Sequence, residues 1–266
     1  MKSIINGINM AWDDSGAGPA VCLIHGFPLN RKMWAPQVSA LTAAGYRVVT
    51  PDLRGFGESE ALESEYFIDQ FADDTVALFD HLGIASAVVG GMSMGGYVLQ
   101  NLLERYPDKV LAACFIATRS GADDEAGKER RLKLAEDVMK SGSQTIADIF
   151  VKLLFAEQTE VIHPELVGNV LRLMLDNDPR GLAGALLAMR ERKDYSPLLS
   201  RFLQTSLIIG AVQDKAVNPE QIGILVESLP NNRLCMIPDA GHMVNLEQPE
   251  AFNRCLLDFM KSLQLK

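Results

Sequence analysis

Short apolar runs and helical patterns alternate along most of this chain, and the alternation is broken once. Residues 21–24, 46–50, 87–89, 110–117, 206–209 and 233–237 are runs of strand length, separated by stretches with helical spacing. Parallel neighbours need a crossover, usually a helix, so this rhythm predicts a mainly parallel sheet with helices on both faces. At the start, residues 3–5 and 8–12 flank Asn6-Gly7. That dipeptide suits the positive backbone angles of a two-residue hairpin and predicts an antiparallel pair.

The break runs from about Arg119 to Ser196, where no good strand occurs and four helical stretches follow one another at 126–140, 144–156, 164–176 and 179–192. Ser141-Gly142-Ser143, Asp178-Pro179 and Ser196-Pro197 supply start and stop signals between them. A helical block inside an α/β rhythm predicts a cap over the carboxyl edge of the sheet, where open sheets bind ligands. The chain then divides into a first core part at 1–118, a helical cap at 119–196 and a second core part at 197–266. A separate helical module fits less well, because both flanking halves are needed to complete one sheet.

With 266 residues and a net charge of -9, the chain can bury a large core and lacks the basic patch that nucleic acid requires. The densest basic run, 128–133, is interleaved with Glu129 and followed by Glu136 and Asp137, which predicts a solvated helix face. No stretch reaches the roughly 20 apolar residues of a membrane span. The first residues carry no secretory or lipidation signal, so a cytoplasmic location is expected. Cys22, Cys114, Cys235 and Cys255 lie far apart with no zinc-site spacing, and are expected to be free buried thiols. Neither a metal nor a cofactor is implied.

Gly91-Met92-Ser93-Met94-Gly95 carries the chemistry. It joins an apolar strand pattern to a helical one that Pro107 stops, and a sharp strand-to-helix turn would hold Ser93 up to solvent in a strained conformation. A serine hydroxyl needs a base and an orienting acid to attack. Of the four histidines, His81 reads as a helix-end residue and His163 as a surface residue before Pro164. His25 ends a strand and reads as a support for its own loop. His242, in the turn Pro238-Asp239-Ala240-Gly241-His242 after the last strand, is the base candidate. Asp214, just past the strand at 206–209, is the first choice of acid, with Asp123 and Asp124 as alternatives. Asp52 precedes Ser93, against the expected order of serine, acid and histidine. For an oxyanion, the candidate donors are the N–H of Met94, after the nucleophile, and of Phe27 in His25-Gly26-Phe27-Pro28.

These stretches, with Pro51-Asp52-Leu53-Arg54-Gly55-Phe56-Gly57-Glu58-Ser59 and Asp239-Ala240-Gly241-His242, resemble the four signature segments of the α/β-hydrolase superfamily in the same order. Within it the chain is similar to small capped carboxylesterases and enol-lactonases, with cofactor-free haloperoxidases and perhydrolases nearby. The resemblance implies an α/β-hydrolase fold with an eight-stranded, mostly parallel sheet, helices on both faces and a cap after the sixth strand. It also implies a triad of Ser93, Asp214 and His242 and a small-molecule ester or lactone as substrate. Epoxide hydrolases and haloalkane dehalogenases share the fold but use an aspartate where Ser93 stands, which disfavours them. Perhydrolysis from the same triad, a hydrolase-like signalling receptor and a hydroxynitrile lyase are the alternatives. The segment 51–59 reads as structural, with Asp52 pairing with Arg54. Phe27, Met92 or Met94, Leu154, Phe155, Met174 and Met189 are candidates for the pocket wall, the cap members having interhelical packing as the alternative. Arg119 is a candidate partner for a substrate carboxylate.

Overall fold

The computed structural model describes residues 1–265. Its strands are β1 (Lys2–Ile5), β2 (Ile8–Ser15), β3 (Ala20–Ile24), β4 (Arg47–Pro51), β5 (Ala87–Met92), β6 (Val110–Ile116), β7 (Ser206–Ala211) and β8 (Asn232–Ile237). They form one eight-stranded sheet in the order β1-β2-β4-β3-β5-β6-β7-β8. Only β1 with β2 and β2 with β4 run antiparallel; every later pair is parallel. The opening hairpin turns at Asn6 and Gly7, at φ of 46° and 80°, which only the two-residue primed turn demands at both centres.

Helices cover both faces, as parallel strands require. They are α1 (Ala35–Ala43), α2 (Ile68–His81), α3 (Met94–Arg105), α4 (Glu125–Ser141), α5 (Gln144–Leu154), α6 (Thr159–Ile162), α7 (Pro164–Leu175), α8 (Pro179–Arg190), α9 (Pro219–Ser228), α10 (Val244–Glu247) and α11 (Pro249–Ser262). Alternate residues of a strand face opposite sides, and the core divides accordingly. Cys22, Ile24 and Val89 join Phe71, Leu78 and Leu102 of α2 and α3, while Val21, Leu23 and Val88 join Leu41, Phe252 and Phe259 of α1 and α11. Among the described residues no helix is long and apolar enough to cross a membrane.

Between β6 and β7 lie α4 to α8. The four predicted helices are present with no end shifted by more than two residues, and the single turn α6 is added between the second and third. The insertion is tied to the rest by close backbone contact. A Cβ on Gly181 of α8 would collide with the backbone of Gly55, and one on Gly184 would collide with the Tyr66 ring.

Two expectations are corrected here. Cys235 of β8 and Cys255 of α11 form a disulfide, leaving Cys22 and Cys114 as the free buried thiols. The partners are 20 residues apart, and only the packing of α11 on the sheet brings them together. Asp52 does not pair with Arg54. Its buried carboxylate instead binds the Arg31 guanidinium and accepts the N–H groups of Arg31 and Glu58, each at 2.8 Å. Arg54 turns the other way, to a bidentate pair with buried Asp74 at 2.6 Å.

One carboxylate organises the insertion. Asp123, between β6 and α4, binds the guanidiniums of Arg119, Arg131 of α4 and Arg192 beyond α8, and its side chain is only 5% exposed. Burial pushes the Asp123 carboxyl up, but Arg192 and Arg131 outweigh it and hold the group well below the usual carboxylate range. A depressed native pKa adds stability above the ordinary range that is lost as the pH falls. We expect Asp123→Asn to cost about 3 kcal/mol at neutral pH, because it leaves partly buried guanidiniums unpaired. Urea unfolding of both proteins should show the gap narrowing as the pH drops through about 4.

Candidate active site

Ser93 stands between β5 and α3 with φ 51° and ψ -112°, a left-handed conformation that a side-chain-bearing residue rarely adopts. Its surroundings hold it there. Ser93 N–H donates to Ile116 O at 2.9 Å, and its carbonyl accepts Gly96 N–H at 2.9 Å and the Thr118 hydroxyl at 2.8 Å. A Cβ on Gly91 would run into the Gly95 carbonyl, and one on Gly95 into that of Ile24. The two flanking glycines are therefore required by the crossing of β5, α3 and the end of β3.

His242 and Asp214 come from turns after β8 and β7. His242 Nδ1 donates to Asp214 Oδ2 at 2.8 Å, both side chains being almost fully buried. The other oxygen, Oδ1, accepts the N–H groups of Ala216 and Val217 at 2.8 and 2.9 Å. With Nδ1 carrying the proton, Nε2 is left as the basic nitrogen. Among the described residues the Ser93 hydroxyl has no hydrogen bond to His242, although both line the same cavity. Such contacts are often loose without substrate and tighten in the complex. Asp123 and Asp124, the alternative acids, are occupied elsewhere, Asp123 by three arginines and Asp124 by capping α4 through Gly127 N–H at 2.7 Å.

Of the candidate oxyanion donors, Phe27 lines the same cavity and Met94 directly follows Ser93. Met94 begins α3, and among the described residues neither its N–H nor that of Phe27 donates to another group. Gly26 brings the second loop close: a Cβ there would sit 3.2 Å from Ser93 Cβ. His25 supports that loop. Its Nε2 accepts Leu53 N–H at 3.0 Å, so Nδ1 carries the proton and donates to Gly26 O at 3.1 Å. Burial lowers the His25 pKa, although Asp52 pulls it up, and the neutral ring is the form this bonding needs. His163 is exposed ahead of α7, and His81 ends α2 against the Trp12 ring.

The cavity beside Ser93 has a volume of about 120 Å³. Phe27, Arg119, Leu154 and Met189 line it, from among the predicted wall residues, together with Tyr97, Arg131, Phe150, Ala216 and Val217. Met92, Phe155 and Met174 do not. They are buried in the apolar cluster on the α1 and α11 side, since the strand alternation turns Met92 away and helix packing absorbs the other two. Arg131 corrects the reading of 128–133 as a solvated face: α4 lies against α8, and this side chain is turned inward and only 19% exposed. A larger groove of about 420 Å³ between α2, α3 and the end of α8 is lined by neither Ser93 nor His242.

Sequence reasoning missed Glu247. Its Oε1 accepts Gly241 N–H at 2.9 Å, while Oε2 accepts Ala156 N–H at 2.9 Å and the Thr159 hydroxyl at 2.7 Å. Burial raises its pKa against the pull of those donors. The only signal was a lone carboxylate in the stretch Met243-Val244-Asn245-Leu246-Glu247-Gln248 between His242 and Pro249.

The family described as alpha/beta hydrolase fold matches residues 19–249. A thermophilic esterase from Thermogutta terrifontis superposes with a TM-score of 0.95 at 34% identity, covering 99% of this chain and 98% of that one. The enol-lactonase from Burkholderia xenovorans LB400 gives 0.92 at 27% identity, covering 98% and 100%. A bromoperoxidase from Bacillus anthracis gives 0.88 at 27% identity over the same shares. Strand order, the turn at Ser93 and this match agree, and the chain belongs to the α/β-hydrolase fold family.

Proposed function

We propose that this protein hydrolyses a carboxylic ester or lactone of a small molecule through an acyl-enzyme on Ser93. The observation that carries the reading is the buried 2.8 Å bond from His242 Nδ1 to Asp214, which leaves Nε2 basic in the cavity that holds Ser93. Ser93 Oγ adds to the carbonyl carbon while its proton passes to His242 Nε2. The new oxyanion accepts the N–H groups of Phe27 and Met94. On collapse, the C–O bond to the leaving group breaks and the imidazolium returns the proton to that oxygen. Water, deprotonated by the same nitrogen, then releases the acid and restores Ser93. The esterase and enol-lactonase neighbours support this reaction class. The bromoperoxidase likeness supports one variant, in which hydrogen peroxide replaces water and a peracid leaves.

The insertion at 119–196 acts as a cap in this reading. Leu154 and Phe150 of α5 and Met189 of α8 wall the cavity, and Leu154 O accepts Met243 N–H at 2.9 Å, beside the base. Glu247 adds a second tie, and we assign it as a positioning residue that fixes the His242 turn against the cap.

Ser93→Ala and Asp214→Asn should each lower kcat on a short p-nitrophenyl ester by about 10⁴-fold with unchanged circular dichroism. Undiminished turnover by folded Ser93→Ala protein would overturn the assignment. Glu247→Gln must leave one buried donor unpaired. It should lose about 1–3 kcal/mol in urea unfolding, and kcat should fall with little change in KM.

A further inference from the structure

Positive charge at the cavity wall exceeds what the protein neutralises. Three guanidiniums, those of Arg119, Arg131 and Arg192, share the carboxylate of Asp123, and Asp194 adds its field only at Arg192. Asp214, the other acid at the site, is committed to His242 and to two backbone N–H groups. Arg192 is spent structurally. It donates to Met189 O, Gly121 O and Asp123, and its guanidinium lies 4.4 Å from the centre of the Tyr97 ring.

Arg119 and Arg131 are placed differently, since both line the cavity with Ser93. Among the described residues, Arg119 bonds only through one terminal nitrogen, to Asp123. Arg131 bonds Asp123 through Nε and meets Met189 Sδ at 3.4 Å through one terminal nitrogen, the other having no partner among the described residues. Guanidinium donors without acceptors, held in place by a buried carboxylate, form a receptor for a planar anion. The rest of the wall is apolar at Phe27, Phe150 and Leu154. We propose that the pocket selects short esters or lactones bearing a second, free carboxylate, which Arg131 and Arg119 bind while the scissile carbonyl lies at Ser93. This inference rests on the hydrolase reading above and names its substrate class.

The test compares p-nitrophenyl hemisuccinate with p-nitrophenyl butyrate, acyl groups of similar length that differ in the terminal carboxylate. Wild-type protein should favour the hemisuccinate in kcat/KM by about tenfold or more, a preference that rising salt weakens. Arg131→Gln and Arg119→Gln should each lower that ratio by about tenfold, with Arg131→Lys in between. A wild-type ratio near one, or a ratio that neither glutamine variant moves, overturns the proposal. Should wild-type protein turn over neither ester, the hydrolase reading fails, and calorimetric titration with succinate decides the anion site by itself. Binding that Arg131→Gln abolishes supports it, and no binding to wild type overturns it.

Discussion

The arrangement at Ser93 depends on three pieces of backbone being allowed to touch. Parallel strands β3 and β5 end side by side, and α3 must start at once if its N-terminus is to reach the same edge. Any side chain at Gly91 or Gly95 would force these segments apart. With the glycines in place, the only residue left to absorb the change of direction is Ser93, whose positive φ costs of order 1–3 kcal/mol. The bonds from Ser93 N–H to Ile116 and from Thr118 to its carbonyl over-determine that conformation. The strain has a geometric return: Ser93 stands at the sheet edge on the wall of a cavity, with Met94 opening α3 directly behind it.

His242 is held by a different principle. His242 lies on a turn with no regular structure of its own, and its position is set by what the turn is bonded to. Gly241 is pressed so closely on Phe155 and Ala156 that a Cβ has no room there. Glu247 closes that contact from below, taking one donor from the turn and two from the insertion. Movement of the segment after α5 is therefore coupled to the imidazole. In the proposed hydrolysis, an insertion joined to His242 in this way would link substrate entry to assembly of the proton-transfer geometry.

Local signals in the chain were enough for the strained turn at Ser93, the helix start at Met94, the close approach of Gly26 and the hairpin at Asn6-Gly7, because a backbone conformation forces a residue type within a few positions. Asp214 was harder, since four strands are followed by acids, at Asp52, Asp123 and Asp124, Asp214 and Asp239, and only the bonding of each acid in space separates them. Residues in the insertion were least legible. Alternating charge on α4 reads as a solvated face whether the other side meets water or another helix, so Arg131 was missed. Met92, Phe155 and Met174 share composition with true wall residues, and which apolar face meets a cavity is a property of packing. The bond between Cys235 and Cys255 is of the same kind.

The ratio of three arginines to one aspartate connects stability to recognition. With no acid, like charges on Arg119, Arg131 and Arg192 would repel one another and the wall would open. With three acids, every guanidinium would be saturated and the cavity would offer an anion nothing. One buried carboxylate gathers all three, and the exhausted member, Arg192, anchors the end of α8 while the other two keep donors over. Because Asp123 already fixes those side chains, an arriving anion need not order them, so less of the binding energy is lost to rotamer entropy. The same carboxylate that folds the insertion thus leaves its arginines prepared for a ligand, and the cap's charge pattern and its packing are one constraint rather than two.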